Sequence, residues 1–335
     1  MRILIRPRTP VLALLLFAPA IPELLTGSTP ITNLVVNPLQ FALGFGFDIG
    51  LYGTGALLIR EFVVYYRKGW ASILLLGAAY GIAEEGFAVH TFFLRSGSPV
   101  NALGWYGHAF GVNWLWALGI TAFHATYSIA LPILLTGLWF PEQRSIRWLD
   151  RGSVGLVAAI YLAVVAVFAR LVGHGPSPGV LAFFLGVVAV LVALAWWAPA
   201  DLLSVRPGPS RAGRTGLFFA GTLGFDAWVV LLILSGIGRW PAIVAAGLLV
   251  GIELAAVAFV VLRVGSERLE RSEFYFATGM LVALFVFDIP VEFSVPGVLG
   301  VAALFGYLQY RLGRAIERRA SRDASPLAAV APPFP

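Results

Sequence analysis

The strongest constraint on the fold is a succession of apolar segments, each long enough to cross a lipid bilayer. About 20 apolar residues span the hydrocarbon core. The chain has 335 residues, of which 59% are hydrophobic and 12% charged, whereas soluble domains carry about 25% charged residues. The sequence therefore predicts an all-α, polytopic membrane protein. We number ten predicted transmembrane spans in chain order: 10–26, 38–64, 69–94, 112–140, 154–173, 178–198, 215–236, 240–262, 273–289 and 294–312.

The basic residues indicate how the spans are oriented. All of the 23 Lys and Arg residues except Arg95, Arg170 and Arg239 lie at the termini or in alternate loops on one side. By the positive-inside rule, both termini are cytoplasmic. This distribution also accounts for the net charge of +6. We therefore expect membrane lipids as partners and no nucleic acid.

The segments lie in one predicted integral membrane domain, residues 1–322, followed by a disordered tail at 323–335. A polar site near the midplane is expected within 38–140, and the second half of the domain covers 154–312. The basic residues are almost all Arg, which is typical of GC-rich prokaryotic genomes. We therefore expect the inner membrane of a prokaryotic cell.

The N-terminus has a second interpretation. Residues 1–20 also match a secretory signal that ends in Ala18-Pro19-Ala20. Cleavage there would leave nine spans instead of ten. The charge asymmetry fits both alternatives, because the remaining loops stay on the same sides.

Two adjacent glutamates, Glu84 and Glu85, lie inside span three. A carboxylate in hydrocarbon costs at least about 2.5 kcal/mol, and the nearest basic residues, Lys68 and Arg95, lie near the ends of the span. The pair must therefore face protein, water or a bound cation. On an α-helix the two side chains point about 100° apart, which predicts that they cannot both contact one partner.

Other polar residues are expected at the same depth. Counting 1.5 Å per residue from the outer end of each span, Asp48, the glutamate pair and His124 all lie about 14–16 Å deep. Consecutive helices are usually neighbours, so spans two, three and four should bring these groups together. We predict catalytic roles for Glu84, Glu85 and His124, in a polar cavity completed by Asp48, Tyr52, Asn113, Thr121 and Ser128.

Helical spacing supports a buried site on spans three and four. Gly77 and Gly81 form a small-xxx-small pattern, which allows a neighbouring helix to approach. Asn113, His124 and Ser128 fall on one face of span four, together with Thr121. The same residues also fit a purely structural role, with protonated glutamates and a neutral histidine hydrogen-bonded between helices.

The residue types restrict the chemistry. The chain has no cysteine, which excludes disulfides, thiol catalysis and thiolate metal sites, so any metal would need His, Asp or Glu ligands. With one histidine and three carboxylates in the predicted site, we assign no metal ligands. The sequence identifies no cofactor.

The glutamate pair and a histidine about 40 residues later resemble the CPBP (Abi) family of CAAX-processing and bacteriocin-processing intramembrane proteases. The family patterns are E-E-x-x-x-R, F-x-x-x-H and H-x-x-x-N/D. Over residues 70–130, Glu84 and Glu85 match the pair and His124 matches the second-motif histidine. Val89 and Ile120 replace the motif Arg and Phe, and no later span contains a histidine.

This resemblance implies an intramembrane peptidase that acts on a membrane-embedded peptide. One glutamate would activate a water molecule. His124, with Asp48, would stabilise the oxyanion or complete a metal site.

A secondary transporter for a small ion or solute is the alternative. Gly224-Phe225-Asp226 in span seven echoes Gly46-Phe47-Asp48 in span two, and Gly247 to Glu253 in span eight echoes Gly77 to Glu84 in span three. An offset of five spans would invert the second half in the membrane, as in many transporters. Asp226 and Glu253 would then form the transport site. A third alternative is a scaffold whose polar residues only join helices.

Overall fold

The computed structural model describes residues 8–96, 105–173 and 175–323. Within these ranges the protein is a helical, multi-pass membrane protein, and eight helices are long and apolar enough to cross a bilayer. They correspond to predicted spans two to nine. Their bounds are Pro38–Tyr65, Trp70–Ala88, Trp114–Trp139, Arg151–Val172, Pro178–Trp197, Arg214–Ile237, Ala242–Arg263 and Leu269–Val291.

Predicted spans one and ten are helical but differ from the other eight. Span one is a short apolar helix, Arg8–Pro19, which continues as a π-helical turn over Ala20–Leu24. Span ten is the 26-residue helix Val298–Asp323, and arginines in its second half leave only a short apolar part. The count of ten, the orientation and the cleaved-signal alternative stay predictions. Of the predicted tail, 323–335, residue 323 is the last residue of the span-ten helix, and the rest lies outside the described residues.

Minor elements connect these helices. Two strands of two residues each, β1 (His108–Ala109) and β2 (Val112–Asn113), pair in an antiparallel hairpin. The others are a short α-helix at Asn33–Val36 and 3₁₀ turns at Thr91–Phe93 and Pro141–Gln143.

Spans two, three and four form the interior of the helix assembly. Span three is 67% buried over its most apolar window, whereas span eight is 11% buried and span five has no buried residue in that window. Helices that pack on several neighbours bury most of their surface, while peripheral helices leave an apolar surface for lipid. The predicted polar site therefore lies on the most enclosed helices.

Four π-helical segments interrupt the inner helices. They lie in spans one to four: Ala20–Leu24, Ile49–Gly53, Ala83–Ala88 and His124–Ala130. π-Helical segments are rare and occur frequently at functional sites. In span four the segment directly precedes Leu131-Pro132, and Pro132 has no N–H group to bond the carbonyl of Ser128 in the α-helical pattern.

A buried ion pair joins span two to the loop after span four. Arg60 and Glu61 are 4% and 3% exposed and hydrogen-bond to each other. Arg60 also donates to the carbonyls of Gln143 and Ile146 at 2.9 and 2.5 Å, and Glu61 accepts the Trp148 N–H at 3.1 Å. The pair therefore fixes this loop against the end of span two.

Candidate functional site

Glu84, Glu85 and His124 form one buried cluster between spans three and four. The imidazole Nε2 of His124 lies 2.8 Å from Oε1 of Glu85, and its Nδ1 lies 3.3 Å from Oε2 of Glu84. Nδ1 is also hydrogen-bonded to the Ser128 hydroxyl at 2.8 Å. The imidazole is therefore surrounded by two carboxylates and a hydroxyl.

The prediction that the two glutamates cannot contact one partner is wrong. Both lie in the π-helical segment Ala83–Ala88. A π-helical turn holds more residues than an α-helical one, since its hydrogen bonds run from i to i+5, so successive side chains diverge by less than 100°. The imidazole also has nitrogens on two sides, so Glu84 and Glu85 reach different atoms of His124.

Span three ends earlier than predicted, and this changes how the site is enclosed. The helix stops at Ala88 rather than Leu94, followed by His90 in the left-handed conformation at φ 59°. The chain then turns back, so that Thr91 donates a hydrogen bond to Oε2 of Glu85. The indole N–H of Trp116 donates to Thr91 at 3.0 Å. Glu84 and Glu85 are thus near the end of the helix, and the following loop covers them.

The close approach of a neighbouring helix to span three, predicted from glycine spacing, is confirmed, and that neighbour is span four. A Cβ atom added at Gly77 would lie 2.8 Å from Cα of Ala125, and one added at Gly81 would lie 2.9 Å from Cβ of His124. Such distances leave no room for a larger residue. The two glycines therefore permit His124 to reach the glutamates.

Asp48 belongs to an adjoining polar network rather than to the cluster itself, and Tyr52 lies between the two. The Tyr52 hydroxyl donates to Oε1 of Glu23 at 2.6 Å. The Thr29 hydroxyl lies 3.0 Å from Glu23 Oε2 and 3.1 Å from Asp48 Oδ2. Asp48 thus approaches Glu23 through Thr29, not the glutamate pair. The Tyr52 ring packs on that of His124 at 5.9 Å between centroids, so Tyr52 joins the network to the cluster.

Two predicted cavity residues have other surroundings. Asn113 caps the start of span four, because its side-chain oxygen accepts the Trp116 N–H at 3.1 Å. Thr121 is half-buried, and its backbone lies against Gly81. Helical spacing predicted that both side chains lie on the same helix face as His124. Instead, Asn113 is used as a helix cap, and Thr121 lies at the contact with span three.

Two buried or half-buried acids, Glu23 and Asp288, are not among the predicted site residues. Glu23 lies in the π-helical segment of span one, and Asp288 lies in span nine with both carboxylate oxygens buried and without a hydrogen-bond partner. A lone acid within an apolar segment was an available signal for both. The sequence did not predict that span one packs against Tyr52, which brings Glu23 next to the site.

The cluster has the donor set of a divalent metal site. One donor atom from each of Glu84, Glu85 and His124 lies within 4.8 Å of the others. One imidazole and two carboxylates leave a coordination position for water in catalytic zinc sites. Oε2 of Glu84 is buried 3.3 Å from Nδ1 of His124, and the Tyr52 and Tyr80 hydroxyls are within hydrogen-bond reach of the same carboxylate. The residues therefore fit either a metal ion or a bound water molecule.

The cluster is closed in this conformation. Glu84 and His124 are 2% exposed and Glu85 is 6% exposed. A substrate can reach these groups only if a neighbouring element moves. The loop after span three is one element in direct contact, through Thr91 and Glu85, and span two is another, through Tyr52 and His124.

Asp226 and Glu253 lie on the other side of span four. Both are half-buried, and both are within electrostatic range of Tyr127. Added Cβ atoms at Gly247 and Gly251 would meet no atom within 4 Å, unlike those at Gly77 and Gly81. The glycines of span eight therefore do not reproduce the close helix contact of their counterparts in span three.

Comparison with known proteins gives no relative. No family model matches the chain, and neither a curated protein nor a solved structure shows significant similarity to it. Functional inference therefore rests on the site itself.

Proposed function

We propose that Glu84, Glu85 and His124 form the catalytic centre of an intramembrane peptidase. The observation that carries this proposal is the imidazole of His124 between two glutamates, at 2.8 and 3.3 Å. Carboxylates paired with one imidazole, enclosed by protein, are suited to general acid–base chemistry. The resemblance to the CPBP family favours a peptide bond as the substrate.

Glu84 is the candidate general base. Its Oε2 atom lies 3.3 Å from Nδ1 of His124, and its carboxylate is within hydrogen-bond reach of the Tyr52 and Tyr80 hydroxyls. A water molecule that displaces one of these hydroxyls would donate to it. Glu84 would remove a proton from this water, whose oxygen attacks the peptide carbonyl carbon. The same carboxyl group then returns the proton to the leaving amine.

His124 and Glu85 have supporting roles in this mechanism. In its imidazolium form, with Nε2–H donated to Glu85, His124 also carries an N–H at Nδ1 beside Glu84. This N–H would exchange its contact with Ser128 for the developing oxyanion. Glu85 bonds the other ring nitrogen at 2.8 Å and accepts from Thr91. Glu85 therefore orients the imidazole, in the way that the aspartate of a serine-protease triad orients its histidine.

Cleavage of membrane-inserted peptides by the purified protein tests the proposal. Single-span peptides of varied sequence are reconstituted with the protein in liposomes, and new peptide termini are detected by mass spectrometry. We expect the wild-type protein to cleave a subset of these peptides. Glu84→Gln should reduce the rate by about 10²–10⁴-fold, the usual contribution of a general base.

A matched control separates catalysis from folding. Asp288→Asn makes the same chemical change at a buried membrane carboxylate outside the cluster, and it should retain cleavage. Thermal unfolding in detergent confirms that each variant is folded. Cleavage by folded Glu84→Gln at the wild-type rate would contradict the assignment, as would a wild-type protein that cleaves none of the peptides.

A further inference from the structure

A second candidate site lies on the face of span four opposite the cluster. A cavity of about 60 Å³ is enclosed by spans four, seven, eight and nine, and a larger groove of about 380 Å³ adjoins it. Both are lined by Glu253, together with Thr126, Ala256, Phe276 and Met280. The two spaces therefore meet at one carboxylate.

Glu253 lacks a counter-charge. It lies in the middle of span eight, Ala242–Arg263, where an unpaired charge costs at least about 2.5 kcal/mol. No hydrogen bond or ion pair joins its carboxylate to another described residue. The other charged residues that line the larger groove, Arg144 and Glu273, neutralise each other in a bidentate pair at 2.6 and 2.7 Å. A cation in the groove would therefore interact with Glu253.

Aromatic rings line the smaller cavity. Phe123 stacks on Tyr127 at 5.1 Å, Tyr127 meets Phe225 edge-on at 5.3 Å, and Phe225 stacks on Trp228 at 5.9 Å between centroids. The faces of such rings attract ammonium groups, and aromatic cages are used to bind quaternary ammonium ligands. Here the rings pack against one another, so each offers the cavity beside Glu253 only its outer face or its edge.

The other residues that line the two cavities offer too few oxygen atoms to bind a simple metal ion. Ca²⁺ takes six to eight oxygen ligands, and Mg²⁺ demands an octahedral oxygen set. Besides Glu253, the side-chain oxygens at the junction are those of Thr126 and Tyr127, and Thr126 already donates to the carbonyl of Ala122 at 2.8 Å. The wider groove is formed mainly by Leu, Val and Ala side chains. The cavity thus suits a ligand with one positive charge and a large apolar body.

We propose that Glu253, with the aromatic rings of Phe123, Tyr127, Phe225 and Trp228, binds a lipophilic organic cation taken up from the membrane. The charged centre would lie beside Glu253, and the apolar body would occupy the 380 Å³ groove. This inference does not depend on the proposed peptidase activity, because His124 and Ser128 face the other side of span four.

Binding of tetraphenylphosphonium to the purified protein in lipid nanodiscs tests the inference. This cation is apolar, permanently charged and close in shape to the anion tetraphenylborate. We expect saturable binding of tetraphenylphosphonium, measured by isothermal titration and by quenching of tryptophan fluorescence. Tetraphenylborate should bind at least tenfold more weakly, since Glu253 repels it.

Variants at the junction locate the bound cation. Glu253→Gln should weaken binding at least tenfold, and Ala256→Phe should block it by filling both cavities while it leaves the charge in place. Asp226→Asn changes a nearby half-buried acid that does not line either cavity, and it should bind within about twofold of wild type. Each variant is checked for folding by thermal unfolding. Equal binding by folded Glu253→Gln, or equal affinity for the anion, would overturn the proposal and indicate a groove that binds apolar chains without regard to charge.

Discussion

The imidazole Nε2 of His124 lies 2.8 Å from Oε1 of Glu85, although the two residues are 39 positions apart in the chain. This contact joins spans three and four at their closest approach, next to Gly81. A buried polar contact of this kind is stable only if each member is satisfied. Ser128 and Thr91 supply the additional partners.

Gly81→Ala should destabilise the protein and reduce cleavage. The added methyl group would lie 2.9 Å from Cβ of His124 and 3.2 Å from Cα of Thr121. Overpacking of this kind typically costs about 1–3 kcal/mol, and relief of the clash would displace the imidazole. Thermal unfolding in detergent measures the loss. Gly247→Ala is the control, because its added Cβ meets no atom within 4 Å; equal melting temperatures for the two variants would contradict the prediction.

Tyr52→Phe should lower the stability of the protein, because it breaks the polar network around Glu23. The substitution removes a buried hydroxyl that donates to Glu23 at 2.6 Å, and it leaves the carboxylate without that donor. An unsatisfied buried acceptor costs about 1–3 kcal/mol. Tyr310→Phe removes an exposed hydroxyl that accepts from Arg314, and exposed substitutions usually change stability by less than about 0.5 kcal/mol. Similar unfolding temperatures for both variants would show that the network contributes little.

Part of the site follows from the sequence, because consecutive helices are usually neighbours and Gly77 and Gly81 predicted a close helix contact on span three. The depth count was less useful: it started from Leu94, whereas the helix ends at Ala88, and it also included Asp48, which bonds Thr29 instead. The failures have local causes. The π-helical segments changed the directions of the side chains, and they depend on packing rather than on residue pattern.

Other parts of the site depend on contacts between segments distant in the chain. Glu23 reaches Tyr52 only because span one folds back onto span two. Asn113 has the helical spacing expected for a residue on the face of His124, but its side chain caps the start of span four instead. The fold class and most helices were predictable from hydropathy, whereas the partners of each polar group were not.

Cleavage should be independent of a bound metal ion. Both ring nitrogens of His124 already have protein partners at 2.8 Å, Glu85 and Ser128, and a metal ion would have to displace at least one of them. After dialysis against EDTA, the cleavage rate should stay within about twofold of that of the untreated protein. Elemental analysis should find less than one zinc per chain. Inactivation by EDTA with recovery on added zinc would reverse this expectation and assign Glu84, Glu85 and His124 as ligands.

Glu61→Gln should be far more destabilising than the same change in an exposed pair. Glu61 balances the buried Arg60 and accepts the N–H groups of Trp148 and Leu149. Removal of one partner of a buried pair typically costs about 3–5 kcal/mol. Glu317→Gln removes the partner of Arg271 at a half-exposed site, where a pair contributes about 0–1 kcal/mol. Denaturant unfolding of both variants compares them, and equal losses would argue against the role of Arg60 and Glu61 in fixing the loop.

Glu292, in the loop between spans nine and ten, should stabilise the start of span ten in a pH-dependent manner. Its carboxylate accepts the backbone N–H groups of Gly297 and Leu299 at 2.8 and 2.9 Å. These hydrogen bonds hold the pKa of Glu292 below its ordinary value of 4.5. A lowered pKa in the folded state gives stability that is complete above the unfolded pKa and is lost as the pH falls through the folded pKa. The difference in unfolding temperature between wild type and Glu292→Gln should therefore be full at neutral pH and disappear in acid. A difference that stays constant across this range would show that the carboxylate charge is not what stabilises the helix start.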